Sequence, residues 1–101
     1  MILSINKEQI PYQFEYEYND HLFTFEIHYN ADYDFFTVDL YKNDELIVYG
    51  EKLVYGQQLF KSLNDDALPQ LIPIDESESV DYITYDNFQK TVFLKVIDDA
   101  V

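Results

Sequence analysis

Three stretches of the chain alternate apolar and polar residues with a period of two, and this pattern constrains the fold more than any other feature. In residues 12–18, YQFEYEY, the rings of Tyr12, Phe14, Tyr16 and Tyr18 alternate with Gln13, Glu15 and Glu17. In residues 23–29, Phe23, Phe25, Ile27 and Tyr29 take one face, and Thr24, Glu26 and His28 the other. In residues 35–41, Phe36, Val38 and Leu40 oppose Phe35, Thr37, Asp39 and Tyr41. Successive side chains of a strand point to opposite faces, so each run reads as a strand with one buried and one wet face. A register slip of one residue would bury the glutamates of residues 12–18, so the pairing is strongly specified. Asn19-Asp20 and residues 30–34 supply polar turns between the runs, and short turns between consecutive strands predict an antiparallel meander.

Residues 35–59 organise the rest. Asn43-Asp44 is a turn whose side chains bond nearby backbone and tolerate left-handed geometry, and residues 46–49 return as the second arm of a hairpin. Gly50 and Gly56 are the 2 glycines of the chain and sit where the backbone needs positive φ or a corner. The hairpin is expected to break at Gly50 and bend into a further element. Leu59, Phe60 and Leu63 then fall at helical spacing without β-branched residues, which predicts one short helical turn after the central hairpin. Pro69 and Pro73 cannot donate ladder bonds, so residues 68–79 read as an extended edge segment or a proline and acidic surface loop. Ile2, Leu3 and Ile5 suggest a short first strand, residues 91–97 a last one, and residues 98–101 a frayed acidic tail. The expected fold is a single all-β domain over residues 1–101, a small antiparallel β-barrel or sandwich of about five to seven strands. Its expected core is Phe25, Ile27, Phe36, Val38, Leu40, Leu53, Val92 and Leu94.

Charge narrows the partners. The chain carries 20 acidic residues against 6 basic ones, all lysine, for a formal net charge of -14. Such a chain repels nucleic acid, and without arginine it lacks the bidentate fork that suits phosphate and guanine. The acidic surface serves solubility, or a basic protein partner, or mimicry of a phosphate backbone. With no cysteine there is neither a disulfide framework nor a thiol nucleophile. The first residues lack the basic and apolar regions of a secretory signal, and no apolar run approaches the roughly 20 residues that span a bilayer. Folding in a reducing cytoplasm is the expectation.

Catalytic chemistry is hard to find. His21 lies beside a turn and His28 on a polar strand face, and neither has a partnering motif nearby in sequence. Asn30, Asp32 and Asp34 place oxygens at every second position, yet a helix-flanked calcium loop would need oxygen ligands where Phe36 and Tyr41 stand. A turn is the better reading. The acids of residues 75–81 form one flexible run with no apolar frame to split their pKa values, as paired catalytic carboxylates require. A phosphate-cradling loop and a nucleophile elbow are both missing. The tyrosines of residues 12–18 would suit a ligand platform or a barrel cavity, but a one-sided aromatic strand is more often core. The residues thus predict a non-enzyme with no catalytic residue, no cofactor and no tightly bound metal.

The order of these pieces is similar to that of the small baseplate plug proteins of contractile-tailed bacteriophages and prophages. The resemblance rests on an alternating strand, then Tyr29-Asn30 and the "DFFxxDLY" strand of residues 34–41 with its polar turn. It continues through Gly50, Leu53, Val54, Gly56 and Leu59, the apolar proline segment of residues 68–75, and Asp86-Asn87 followed by Val92 and Leu94. The chain departs from the family pattern in being more acidic, poorer in glycine and without tryptophan. The resemblance implies a structural virion protein, made in the host bacterial cytoplasm and placed in the tail baseplate, where it closes the tube channel by protein–protein contacts. Its partners would be hub, spike or tail-tube proteins, or further copies of itself, with no direct contact to nucleic acid or membrane. Leu68, Leu71, Ile72 and Ile74 are the candidate partner-binding residues, as an exposed loop that two prolines keep extended. The competing reading folds Leu71 and Ile72 onto the core as an edge strand. The alternative function is an acidic DNA mimic that sequesters a basic nucleic-acid-binding protein.

Overall fold

The polar turns adopt the left-handed geometry that their residues tolerate. Asn19 and Asp20 have φ of 50° and 62°, Asn43 and Asp44 of 50° and 70°. Two consecutive positive-φ residues form the tight turn whose twist matches paired strands. The computed structural model describes residues 2–61, 63 and 70–97. In chain order the strands are β1 (Ile2–Leu3), β2 (Tyr12–Tyr18), β3 (His21–Asn30), β4 (Phe35–Lys42), β5 (Glu45–Lys52), β6 (Gln70–Ile74) and β7 (Phe93–Ile97). β2, β3, β4 and β5 pair in that order as an antiparallel meander, and β1, β7 and β6 make a smaller antiparallel sheet. The two sheets are separate, so the domain is sandwich-like and not a closed barrel.

The inner faces meet in one core. Phe23, Phe25 and Ile27 of β3 and Phe36, Val38 and Leu40 of β4 face Leu71 of β6 and Leu94 and Val96 of β7. All eight residues expected in the core are buried. The aromatic face of β2 closes one flank: Phe14 lies 5.3 Å from Phe25, centroid to centroid. Phe88 closes the other at 4.7 Å from Phe36. Rings at such tilted separations add to what area burial alone contributes.

Three local expectations need correction. β5 does not break at Gly50 but runs through it, because Gly50 (φ 70°) forms a bulge. Val38 pairs with Glu51 and Leu40 with Val48, so Tyr49 and Gly50 together oppose Asp39. The helical turn after the hairpin does not form among the described residues. Phe60 takes a φ of 62°, which a right-handed helix excludes. The Leu59 amide bonds the Leu71 carbonyl at 2.8 Å instead. Finally, most of the expected loop is strand: β6 pairs along its full length with β7, from Gln70↔Ile97 to Ile74↔Phe93. Leu68 and the tail at 98–101 lie outside the described residues.

Candidate functional site

The period-two pattern of β6 and β7 has apolar residues on both faces, and only one face can enter the core. Leu71 and Pro73 of β6 and Leu94 and Val96 of β7 point inward and are buried. Ile72, Ile74, Phe93 and Ile97 therefore point outward, half-buried, and Ile2 beside them is 46% exposed. Register gathers them: Ile2 and Ile72 flank Lys95 from either side, and Ile74 stands opposite Phe93. Lys95 is paired with Glu76 at 2.8 Å, which neutralises the cation in the middle of the patch. Apolar side chains gathered on one outward face mark a contact surface more often than a scattered exposed residue does.

Of the four candidate partner-binding residues, the structure brings Ile72 and Ile74 onto this face. Leu71 is 0% exposed and belongs to the core, so the edge-strand reading describes it. The strand pairing that hides Leu71 is what turns Ile72 and Ile74 outward. Ile2, Phe93 and Ile97 were not expected here, since their place depends on pairing between the two ends of the chain.

Beside the patch, the serine and acid run is ordered around one carboxylate. Asp75 is 4% exposed. Its Oδ1 accepts from the Ser77 amide (2.9 Å) and hydroxyl (2.6 Å), and its Oδ2 from the amides of Ser79 (2.8 Å) and Val80 (3.1 Å). These bonds, the Ser77 hydroxyl foremost, hold the Asp75 carboxyl below the usual carboxylate range. The run is a knotted corner, contrary to the flexible acidic stretch expected from composition.

The outer face of the larger sheet is different. Gln13, Glu15 and Glu17 are exposed along β2, and Thr24, Glu26 and His28 follow on β3. Here His28 does find partners: its Nε2 lies 2.6 Å from Glu26 Oε2 and 3.2 Å from Asp39 Oδ2. Gln13 Nε2 donates to Glu26 Oε1 at 2.7 Å, and that bond, followed by the His28 contact, keeps the Glu26 carboxyl below its ordinary range. Asp39 is 2% exposed, because the β5 bulge folds over it and the Gly50 amide donates to its Oδ1 at 2.6 Å. Residues 30–34 form a turn: Asn30 Oδ1 accepts from the amides of Asp32 and Tyr33 at 3.0 and 3.2 Å. Asp34 takes the Tyr29 hydroxyl at 2.7 Å, which raises the Tyr29 phenol to about 12.

The smaller sheet thus carries an apolar outer face with an ordered acidic corner beside it, and the larger sheet a more polar one. No curated protein matches the chain in sequence. A family model described as cyanophage baseplate Pam3 plug gp18 matches residues 1–99. That match covers nearly the whole chain, and the protein belongs to this family of phage baseplate plugs, structural components of the tail baseplate.

Proposed function

We propose that the protein closes the tail-tube channel at the centre of the baseplate, held there by contacts with hub, spike or tube proteins and carrying out no reaction. The family match across residues 1–99 is the observation that carries this reading. The outer face of the smaller sheet supports it and supplies the contact: Ile72 and Ile74, joined by Ile2 and Phe93, dock against an apolar surface of the partner. Leu68, outside the described residues, stays a candidate for the same contact only by its place in the chain before β6. The net charge of -14 favours an occupant of opposite charge, a hub, spike or tube protein, over a further copy of the chain, which stays the second candidate. Acidic groups around the patch then steer the encounter, while the apolar contact sets how long it lasts.

The test is the double variant Ile72→Ser/Ile74→Ser in a baseplate assembly assay. Both side chains point outward and are half-buried, so the melting temperature should fall far less than in Leu40→Ala while incorporation into the baseplate is lost. Unchanged incorporation would remove the face from the proposal. A plug-deleted particle that retains its tube contents would overturn the channel-closing role itself. Binding to a basic nucleic-acid-binding protein that ignores this pair and collapses between low and moderate salt would establish the DNA-mimic alternative.

A further inference from the structure

The register of β3 against β4 sets two carboxylates face to face. Glu26 pairs directly with Asp39, and like charges opposite one another across strands are destabilising. The group that reaches both carboxylates is His28. Its Nε2 approaches Glu26 Oε2 at 2.6 Å and Asp39 Oδ2 at 3.2 Å. One ring nitrogen carries either a single proton or a lone pair, so it cannot give a full hydrogen bond to each carboxylate at once. A cation bound by all three groups satisfies both oxygens and the nitrogen together.

We propose that Glu26, His28 and Asp39 form a binding site for a divalent transition metal of the zinc type. One ligand atom from each residue lies within 4.8 Å of the other two. Metal–ligand distances of about 2.0–2.2 Å in a tetrahedral site place ligand atoms roughly 3.3–3.6 Å apart, so small rotations of Glu26 and His28 complete the geometry. The remaining oxygen of each carboxylate is already held from outside the triad, Glu26 Oε1 by Gln13 and Asp39 Oδ1 by the Gly50 amide. Outer hydrogen bonds of that kind orient ligands in established metal sites. The site is buried on one side and open on the other: the side chain of Asp39 is 3% exposed and that of His28 is 40%. An imidazole with two carboxylates suits zinc, cobalt or nickel, whereas calcium prefers six to eight oxygens. Water, or a group from a docked protein, completes the coordination. Bound metal would tie β3 and β4 to the β5 bulge. The inference rests on this geometry and is independent of the plug reading.

Titration calorimetry of the full chain with Zn²⁺ alone tests it, with chelator-treated protein and no other ligand. One equivalent should bind, and the melting temperature should rise with Zn²⁺ as it does whenever a ligand binds only the folded state. His28→Ala removes the nitrogen ligand at a solvent-facing position, leaves every carboxylate in place, and should abolish both effects. Gln13→Ala should weaken binding about 10–100-fold, the usual effect of losing an outer-shell partner. His21→Ala should change neither. Stoichiometric Zn²⁺ binding that survives in His28→Ala, or Ca²⁺ binding equally well, would mean diffuse attraction to an acidic surface and would overturn the site. So would the absence of a one-to-one event in the wild-type chain.

Discussion

The two sheets share a core and follow the same period-two rule, yet their outer faces differ. On β2 and β3 of the larger sheet the outward positions Gln13, Glu15, Glu17, Thr24, Glu26 and His28 are polar, and Phe35, Tyr41 and Leu46 join them from β4 and β5. On the smaller sheet the outward positions are Ile2, Ile72, Ile74, Phe93 and Ile97 around the paired Lys95. An antiparallel sheet can stand with one face in water, as the first does. Among the described residues the second leaves its outward apolar side chains only half-buried, at a hydration cost that a covering surface would remove. Inward residues thus report the fold, and the outward residues of the smaller sheet carry the proposed contact.

The comparison can be broken most severely at what the sheets share. Leu40, 0% exposed at the centre of β4, supports both, and Leu40→Ala should cost about 2–5 kcal/mol in denaturant unfolding. A smaller loss should follow Asp75→Asn, which removes the charge and replaces one of the two acceptor oxygens by an amide NH2, so that two of the four bonds beside the apolar face lose their acceptor. The folded state holds the Asp75 carboxyl low, so its contribution is complete above the ordinary carboxylate range and disappears as pH falls through the folded value. The stability gap between wild type and Asp75→Asn should therefore be widest near neutral pH and close on acidification. General relief of repulsion among the acids affects both proteins alike, so the difference between them isolates the knot. The smallest effect belongs to the water-facing side. Glu15→Ala should change stability by no more than about 0.5 kcal/mol. A loss there comparable with that of Leu40→Ala would show the two faces of β2 to be assigned the wrong way round.

How much of this was legible in the sequence depends on the range over which each feature is determined. The meander was, because alternation within β2, β3 and β4 and the Asn-Asp turns are local signals. The core residues followed from the same alternation. Leu59, Phe60 and Leu63 have helical spacing, yet the described residues around them form no helix. The chain instead commits the Leu59 amide to Leu71, a contact across a segment whose pairing no local pattern announces. Asp39 looked like an exposed strand residue, since nothing in its neighbourhood foretells that Tyr49 and Gly50 bulge over it. The Glu26, His28 and Asp39 cluster was invisible for the same reason. Asp39 is 11 residues beyond His28 and meets it only through strand register. Two of the four partner-binding candidates, Ile72 and Ile74, came out on the proposed face, and the strand pairing that moved Leu71 inward is what put them there.

The outer edge of β6 carries a consequence for life in a crowded assembly. The carbonyls of Leu71 and Pro73, which point away from β7, are taken by the amides of Leu59 and Gly56 at 2.8 and 2.9 Å. Pro73 has no amide to offer on that side, which is why a proline is tolerated there. An unpaired edge next to an oily face is the usual seed for strand-by-strand aggregation. Here that edge is occupied from within the same molecule. The sticky face can be presented at high local concentration while particles are being built, without its rim starting a fibril.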